Sequence, residues 1–203
     1  MLELAIGTGR IALPLAATGL AVDGIDFARE MIARLREKPG GDQLEVILGD
    51  FADVAVSRSY GLVFIVWNSL FNLLEQREQS RCFANVAGHL DPDGLFLIEA
   101  YSPSPYHRLD ADQQVQAEHV GTDQVRIGVL KHDPVRQTIE ENHVTLTAEG
   151  TRFNPVVQRY AWPAELDLMA ESAGLTLMHR WGGWQEEPFT GASERHVSVY
   201  GRA

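Results

Sequence analysis

Glu3-Leu4-Ala5-Ile6-Gly7-Thr8-Gly9-Arg10, running on into Ile11-Ala12-Leu13-Pro14-Leu15-Ala16-Ala17, is the stretch whose reading decides the fold. An apolar strand that turns through small residues into a helix brings bare backbone and a helix N-terminus up to a ligand, and Gly7 and Gly9 allow that approach. Glu3 stands four residues before Gly7, near the carboxyl end of the expected strand, where an acid can meet a cationic part of a ligand. Read as Gly7-x-Gly9-x-x-Ala12, with Asp26 nineteen residues after Gly7, the stretch also satisfies the dinucleotide fingerprint, whose acid binds ribose hydroxyls.

The chain has 203 residues, 45% hydrophobic and 22% charged, which suits one substantial core and a single domain over 1–203. A formal charge of −11 argues against sequence-independent nucleic-acid binding, which needs clustered Lys and Arg, and so favours small partners. The single cysteine, Cys82, allows no intramolecular disulfide. No apolar run reaches membrane-spanning length and no signal peptide is legible, so no membrane partner is expected and the cytoplasm is the default location.

Beyond the first helix, Leu20–Asp26 reads as a second strand closing on a carboxylate that caps the next helix, where Phe27, Met31 and Leu35 recur at four-residue spacing on one face. A third strand, Leu44–Leu48, leads into Gly49-Asp50-Phe51. The fourth, Tyr60–Trp67, is too apolar to alternate, as a parallel strand covered on both faces should be. A helix from about Glu75 to Ala87, a turn at Asp91-Pro92-Asp93-Gly94 and a fifth strand, Leu95–Tyr101, complete a β/α alternation that argues for a parallel sheet. Then the rhythm breaks. Three strand-like runs, at about 123–132, 136–148 and 152–160, follow one another through short turns, as antiparallel neighbours do. A helix from Pro163 to Gly174 and a closing strand pair, Leu175–Trp181 and His196–Tyr200, end the chain.

Glu3 separates two cofactors, because a carboxylate beside the turn repels a pyrophosphate yet suits the ammonium and sulfonium of S-adenosylmethionine (SAM). The residues resemble motif I of the class I SAM-dependent methyltransferases, Glu-x-Gly-x-Gly-x-Gly, with Ala5 in place of the first glycine. An alanine there is tolerable at negative φ and crowds the cofactor if the turn needs positive φ. The resemblance implies an α/β Rossmann-like sheet in the order 3-2-1-4-5-7-6, its last strand antiparallel. The antiparallel insertion, taken as 123–160, together with Trp67-Asn68-Ser69-Leu70-Phe71 after strand four, is similar to glycine N-methyltransferase and the aminosugar N-methyltransferases.

By the same resemblance the cofactor site consists of Glu3, Ala5, Gly7, Gly9 and Arg10 from the first turn, with Asp26 taking the ribose hydroxyls and Phe27 and Met31 beside it. Asp50 accepts from the adenine amino group, Phe51 packs on the ring, Val66 and Trp67 offer backbone carbonyls to the SAM ammonium, and Asn68 borders the methyl donor. Phe71, Tyr106, His143 and Tyr160 are the candidates for a small-molecule acceptor, with an amine favoured. Methyl transfer is an in-line displacement in which the protein supplies alignment and excludes water; a general base is not assigned. The seven histidines show no ligand spacing, so no metal is expected. The insertion is expected to cover the acceptor side or to form a subunit contact, a homodimer being the second of these, and to add nothing to cofactor binding.

Two other functions stay open at this level. An NAD(P)-dependent oxidoreductase fits the bare glycine pattern. A SAM-binding protein of poor or no activity fits the start at Met1, because the resembled family has a helix and leader before the first strand that close over the cofactor; a sequence continuing upstream is the alternative.

Overall fold

In the computed structural model, which describes residues 1–53, 56–109 and 111–202, strands and helices alternate from the first residue. β1 (Leu2–Leu4), α1 (Ala12–Ala17), β2 (Asp23–Asp26), α2 (Arg29–Arg36), β3 (Glu45–Leu48) and β4 (Tyr60–Ile65) come first, then α3 (Gln76–His89) and β5 (Leu90–Tyr101). β6 (Gln113–Val120), β7 (Gln124–Asp133), β8 (Thr138–Thr147) and β9 (Gly150–Arg159) follow without intervening helices. α4 (Pro163–Ser172), β10 (Leu175–Trp181) and β11 (Arg195–Arg202) close the chain. The main sheet has the order β10-β11-β5-β4-β1-β2-β3, the expected 3-2-1-4-5-7-6 read from its other edge, and β11 runs antiparallel to both neighbours.

Burial follows the sequence pattern. Val63, Ile65, Phe96 and Ile98 on the central strands are fully covered, as residues of parallel strands buried on both faces should be. Phe83 of α3 packs edge-on against Phe96 and Tyr200, with ring centroids 5.3 and 5.7 Å apart. A smaller cluster, Ile6, Ala12, Val22, Leu35 and Leu44, seats α1 and α2.

Three local expectations need correction. Asp26 does not cap α2: the helix begins at Arg29 after an extended Ala28, so Phe27 lies outside it, and of the expected face only Leu35 is buried. Asp91-Pro92-Asp93-Gly94 does not end the element before β5, because pairing with β4 jumps from Tyr60↔Leu90 to Leu62↔Leu95 and the turn residues form an excursion within one strand. The inserted sheet has four strands, not three, and starts at Gln113; β6, Gln-rich and almost wholly exposed, carries too little apolar alternation to announce itself.

The root of that sheet is bolted to the core. Arg159 pairs with Glu165 of α4 at 2.7 Å, only 8% and 15% of these side chains being exposed, and also donates to Gln79 of α3. Breaking such a buried pair from one side costs about 3–5 kcal/mol. The sheet's two faces differ. Leu130, His132 and Ile139 point inward and are buried, while Val115, Val129, Phe153 and Val157 stand exposed on the outer face.

Ala5 has φ +55°, so the turn after β1 requires the left-handed conformation at the position where alanine replaces glycine. That conformation costs an L-residue about 1–2 kcal/mol, against about 0.5–1 kcal/mol of extra chain entropy for glycine. Ala5→Gly is therefore expected to stabilise the fold by about 0.5–1 kcal/mol in equilibrium denaturation; a loss of stability would show that the turn does not hold this conformation.

Candidate functional site

The carboxyl ends of β3, β2, β1 and β4 lie side by side, and the residues just beyond them form one rim. Asp26 organises it. One carboxylate oxygen accepts the Gly7 N–H at 2.7 Å and the other the Ala28 N–H at 2.8 Å. Gly7 and Gly9 take φ of +57° and +72°, and nothing but the Ala5 carbonyl lies near the space a Gly7 side chain would fill. That bare stretch is open to a ligand at van der Waals distance.

Glu3 is 3% exposed, and its Oε2 has no hydrogen-bond partner. Burial pushes its pKa up to about 7, with a backbone hydrogen bond from Ala12 and the charge of Arg10 only partly opposing this. A buried carboxylate with a free oxygen is a costly arrangement by itself and a good one beside a cation. The residues present thus fit a ligand with an ammonium group at Glu3 and hydroxyls within reach of Asp26.

Around this centre Phe27 and Met31 are exposed on the β2 side, and Asp50, after β3, is exposed with Oδ1 accepting the Ala52 N–H. Phe51 is buried in the core, so it forms floor rather than wall. Val66 is buried; Trp67 is 62% exposed, and the Arg10 guanidinium lies 4.3 Å above its ring. Trp67 and Asn68 both have positive φ, held by the Trp67 N–H donating to Glu99 and by Asn68 Oδ1 accepting the Tyr101 N–H.

Between this loop and the inner face of the inserted sheet lies a cavity of about 390 Å³. Its aromatic walls are Trp67, Tyr101 and Tyr106, its carboxylates Glu99, Glu141 and Glu194, and its cation Arg195. Arg195 stands 3.9 Å from Glu99, which leaves Glu141 and Glu194 without a cation among the lining residues. The Tyr101 hydroxyl is buried without a partner, and burial raises its pKa, with the nearby Tyr106 and Glu141 adding to the shift. Tyr106 is pushed up to about 12 by burial and then by Glu141.

Of the expected acceptor residues, only Tyr106 lines this cavity. Phe71 is fully buried, edge-on to Tyr101 at 5.0 Å, and so supports the wall from behind. Tyr160 is also fully buried, its hydroxyl shared between His107 and His132 at 2.7 and 2.9 Å. His143 stands behind Glu141, bonded to Glu118. The sequence reading missed Glu99, Tyr101, Glu141 and Glu194. A signal existed for the first: a carboxylate inside the apolar run Leu95–Tyr101 is out of place in a buried strand.

Comparison with known proteins agrees with this geometry. The family described as a methyltransferase domain matches residues 1–94. The solved CcbJ methyltransferase from Streptomyces caelestis is 38% identical with a TM-score of 0.94, covering all of this chain and 83% of that one. A cypemycin N-terminal methyltransferase from Streptomyces sp is 27% identical across all of this chain and 82% of its own length. A dTDP-3-amino-3,6-dideoxy-alpha-D-glucopyranose N,N-dimethyltransferase from Streptomyces fradiae is 28% identical over 50% of this chain and 39% of its own. None of these similarities supports the oxidoreductase alternative.

Glu3 makes the stability of the ligand-free protein depend on pH. With its folded pKa near 7 and its unfolded value near 4.5, the native state keeps a proton that the unfolded state releases between those values. Stability should therefore fall as pH rises from 4.5 to 7 and level off above, by up to about 3 kcal/mol. Urea denaturation of wild type and Glu3→Gln across this range measures it: the two should diverge with pH, and parallel curves would contradict the assignment.

Proposed function

The chain belongs to the SAM-dependent methyltransferases, and from that premise we propose that it methylates the amine of a small molecule. The observation that carries the amine is the cavity beside the cofactor rim, where three carboxylates face one arginine among aromatic walls. A cationic or hydrogen-bond-donating nitrogen suits such a lining, and aromatic faces add to the attraction for a cation. The names of two similar proteins, an N-terminal methyltransferase and an aminosugar N,N-dimethyltransferase, point the same way.

When bound, SAM supplies a methyl group already activated by its sulfonium. The chain's part is alignment. In this reading Glu3 and the Val66 and Trp67 carbonyls would hold the ammonium and Gly7 would let the backbone approach, whereas the missing side chain of Gly9 makes room for Leu13 and Leu35. Asp26 keeps lone pairs free for the ribose hydroxyls after accepting the Gly7 and Ala28 amides. Asp50 would accept from the adenine amino group, Phe27 and Met31 would pack on the ring above the Phe51 floor, and Arg10 stays on Trp67. Asn68 fixes the loop between donor and acceptor, and Tyr106 contacts the acceptor. Holding donor and acceptor in line within a walled cavity provides most of the acceleration such a displacement needs.

Asp26→Ala is expected to weaken SAM binding by about 1–3 kcal/mol, the cost of leaving buried donors unpaired, measured by titration calorimetry; unchanged affinity would remove Asp26 from the site. Turnover against a panel of primary and secondary amines and matched alcohols tests the reaction. N-methyl products are expected. Methylation confined to hydroxyls would overturn the amine reading, and SAM binding without turnover on any acceptor would favour the non-catalytic alternative.

A homodimer through the inserted sheet is the second part of this reading. Val115, Val129, Phe153 and Val157 form an exposed apolar face whose charged members include the Lys131–Glu140 pair, 3.7 Å apart. A second copy suits it, because a neutral apolar patch on a chain of net charge −11 is where like copies repel least. Analytical ultracentrifugation should find a dimer that Phe153→Lys converts to monomer; a monomeric wild type would exclude the contact.

A further inference from the structure

An amine that is protonated at neutral pH must give up a proton before its lone pair can attack, and a hydroxyl gives one up as it is methylated, so a walled cavity needs a route for that proton. A second, solvent-open cleft of about 430 Å³ lies on the same face of the inserted sheet, lined by Glu118, Arg126, His143, Thr145, Arg152 and Asn154. His143 joins the two spaces. Its Nδ1 lies 2.6 Å from Glu118 Oε1 in the open cleft, and its Nε2 lies 3.8 Å from Glu141 Oε2, whose residue lines the acceptor cavity. Strand geometry produces this alignment: Glu141 and His143 are alternate residues of β8 and so share a face, while β6 brings Glu118 beside them.

We propose that Glu141, His143 and Glu118 form a relay that carries the acceptor's proton from the cavity to solvent, deepening the amine reading above, on which it rests for its substrate. As the nitrogen–carbon bond forms, the sulfur–carbon bond breaks and its electron pair stays on sulfur. Before that attack, the proton of the acceptor's ammonium form passes to a Glu141 oxygen and from there to His143 Nε2, while Nδ1 releases its proton to Glu118 Oε1, which gives it to the solvent of the open cleft. Glu118 orients the imidazole by accepting from Nδ1–H, which leaves the Nε2 lone pair facing Glu141. Arg126 Nε, 2.8 Å from Glu118 Oε2, holds that carboxylate in place. The 3.8 Å step is bridged by one water or a small rotation of the Glu141 side chain. Beside Glu141, the unpartnered Tyr101 hydroxyl offers the acceptor nitrogen its second contact.

The test uses the whole chain and the best acceptor from the panel, nitrogen or oxygen, since both release a proton. Glu141→Gln should lower kcat by about 100-fold or more while SAM affinity stays within about twofold, and Glu141→Asp should recover part of the loss. His143→Ala should lower kcat about tenfold, with imidazole in the buffer restoring activity through the open cleft. Full kcat in Glu141→Gln, or a His143→Ala loss that imidazole does not touch, would overturn the relay whichever atom is methylated. Whether the methyl group sits on nitrogen or oxygen judges the amine reading separately.

Discussion

The carboxylate of Asp26 joins two pieces of backbone that the pairing of β1 with β2 and the Ile6 N–H, donating to the Ile25 carbonyl, bring together. By accepting the Gly7 and Ala28 amides it fixes the turn after β1 against the turn after β2. With Asp26 only 6% exposed, these charge-assisted bonds are little weakened by solvent. The left-handed Gly7 and the bare surface over it are held in place by that junction. Its cost is visible at Ala5, where a side chain occupies a conformation that glycine adopts freely.

From this junction the molecule divides its labour along the sheet. Glu3 within β1, Asp26 at the end of β2 and Asp50 just beyond β3 suit a ligand with ammonium and hydroxyl groups, while the loop after β4 is stitched to β5 by Glu99 and Asn68. The stitching holds Trp67 and Asn68 in left-handed conformations and turns Trp67 toward Arg10 and the cavity. Opposite it, the inserted sheet supplies the remaining wall. Buried Arg159 and Glu165 keep the root of that sheet rigid against α3 and α4, so the wall is fixed relative to the rim. A methyl transfer that relies on alignment needs this rigidity.

The inserted sheet inverts the common pattern of an apolar inner and a polar outer face. Near its root the inner face is apolar, with Leu130 and Ile139 buried, but toward the tip it carries Glu118, Glu141 and His143, while the outer face collects Val115, Val129 and Phe153. Polar groups lining a cavity can be satisfied by a substrate, and apolar groups on an outer face by another copy. Both halves of the sheet thus find a use in the proposed function.

The parallel core is legible in the sequence because it rests on local signals, an apolar strand, a glycine turn and a carboxylate near a strand end, while the strand order follows from the family resemblance that those signals carry. Glu3, Asp26 and Asp50 stand out as candidates for that reason, Glu3 within β1, Asp26 at the end of β2 and Asp50 just beyond β3. Of the four acceptor candidates, only Tyr106 lines the cavity beside the rim. Phe71 and Tyr160 have the right residue types in the right segments, yet packing places them one layer behind the wall, a matter of side-chain direction that spacing does not encode. Glu141 faces Tyr101 only because β8 returns in register against β7, and a slip of one residue would have turned it to the outer face. Where the groups of one site come from a single turn the sequence suffices; where they come from strands far apart in the chain, only the tertiary structure decides which of them meet.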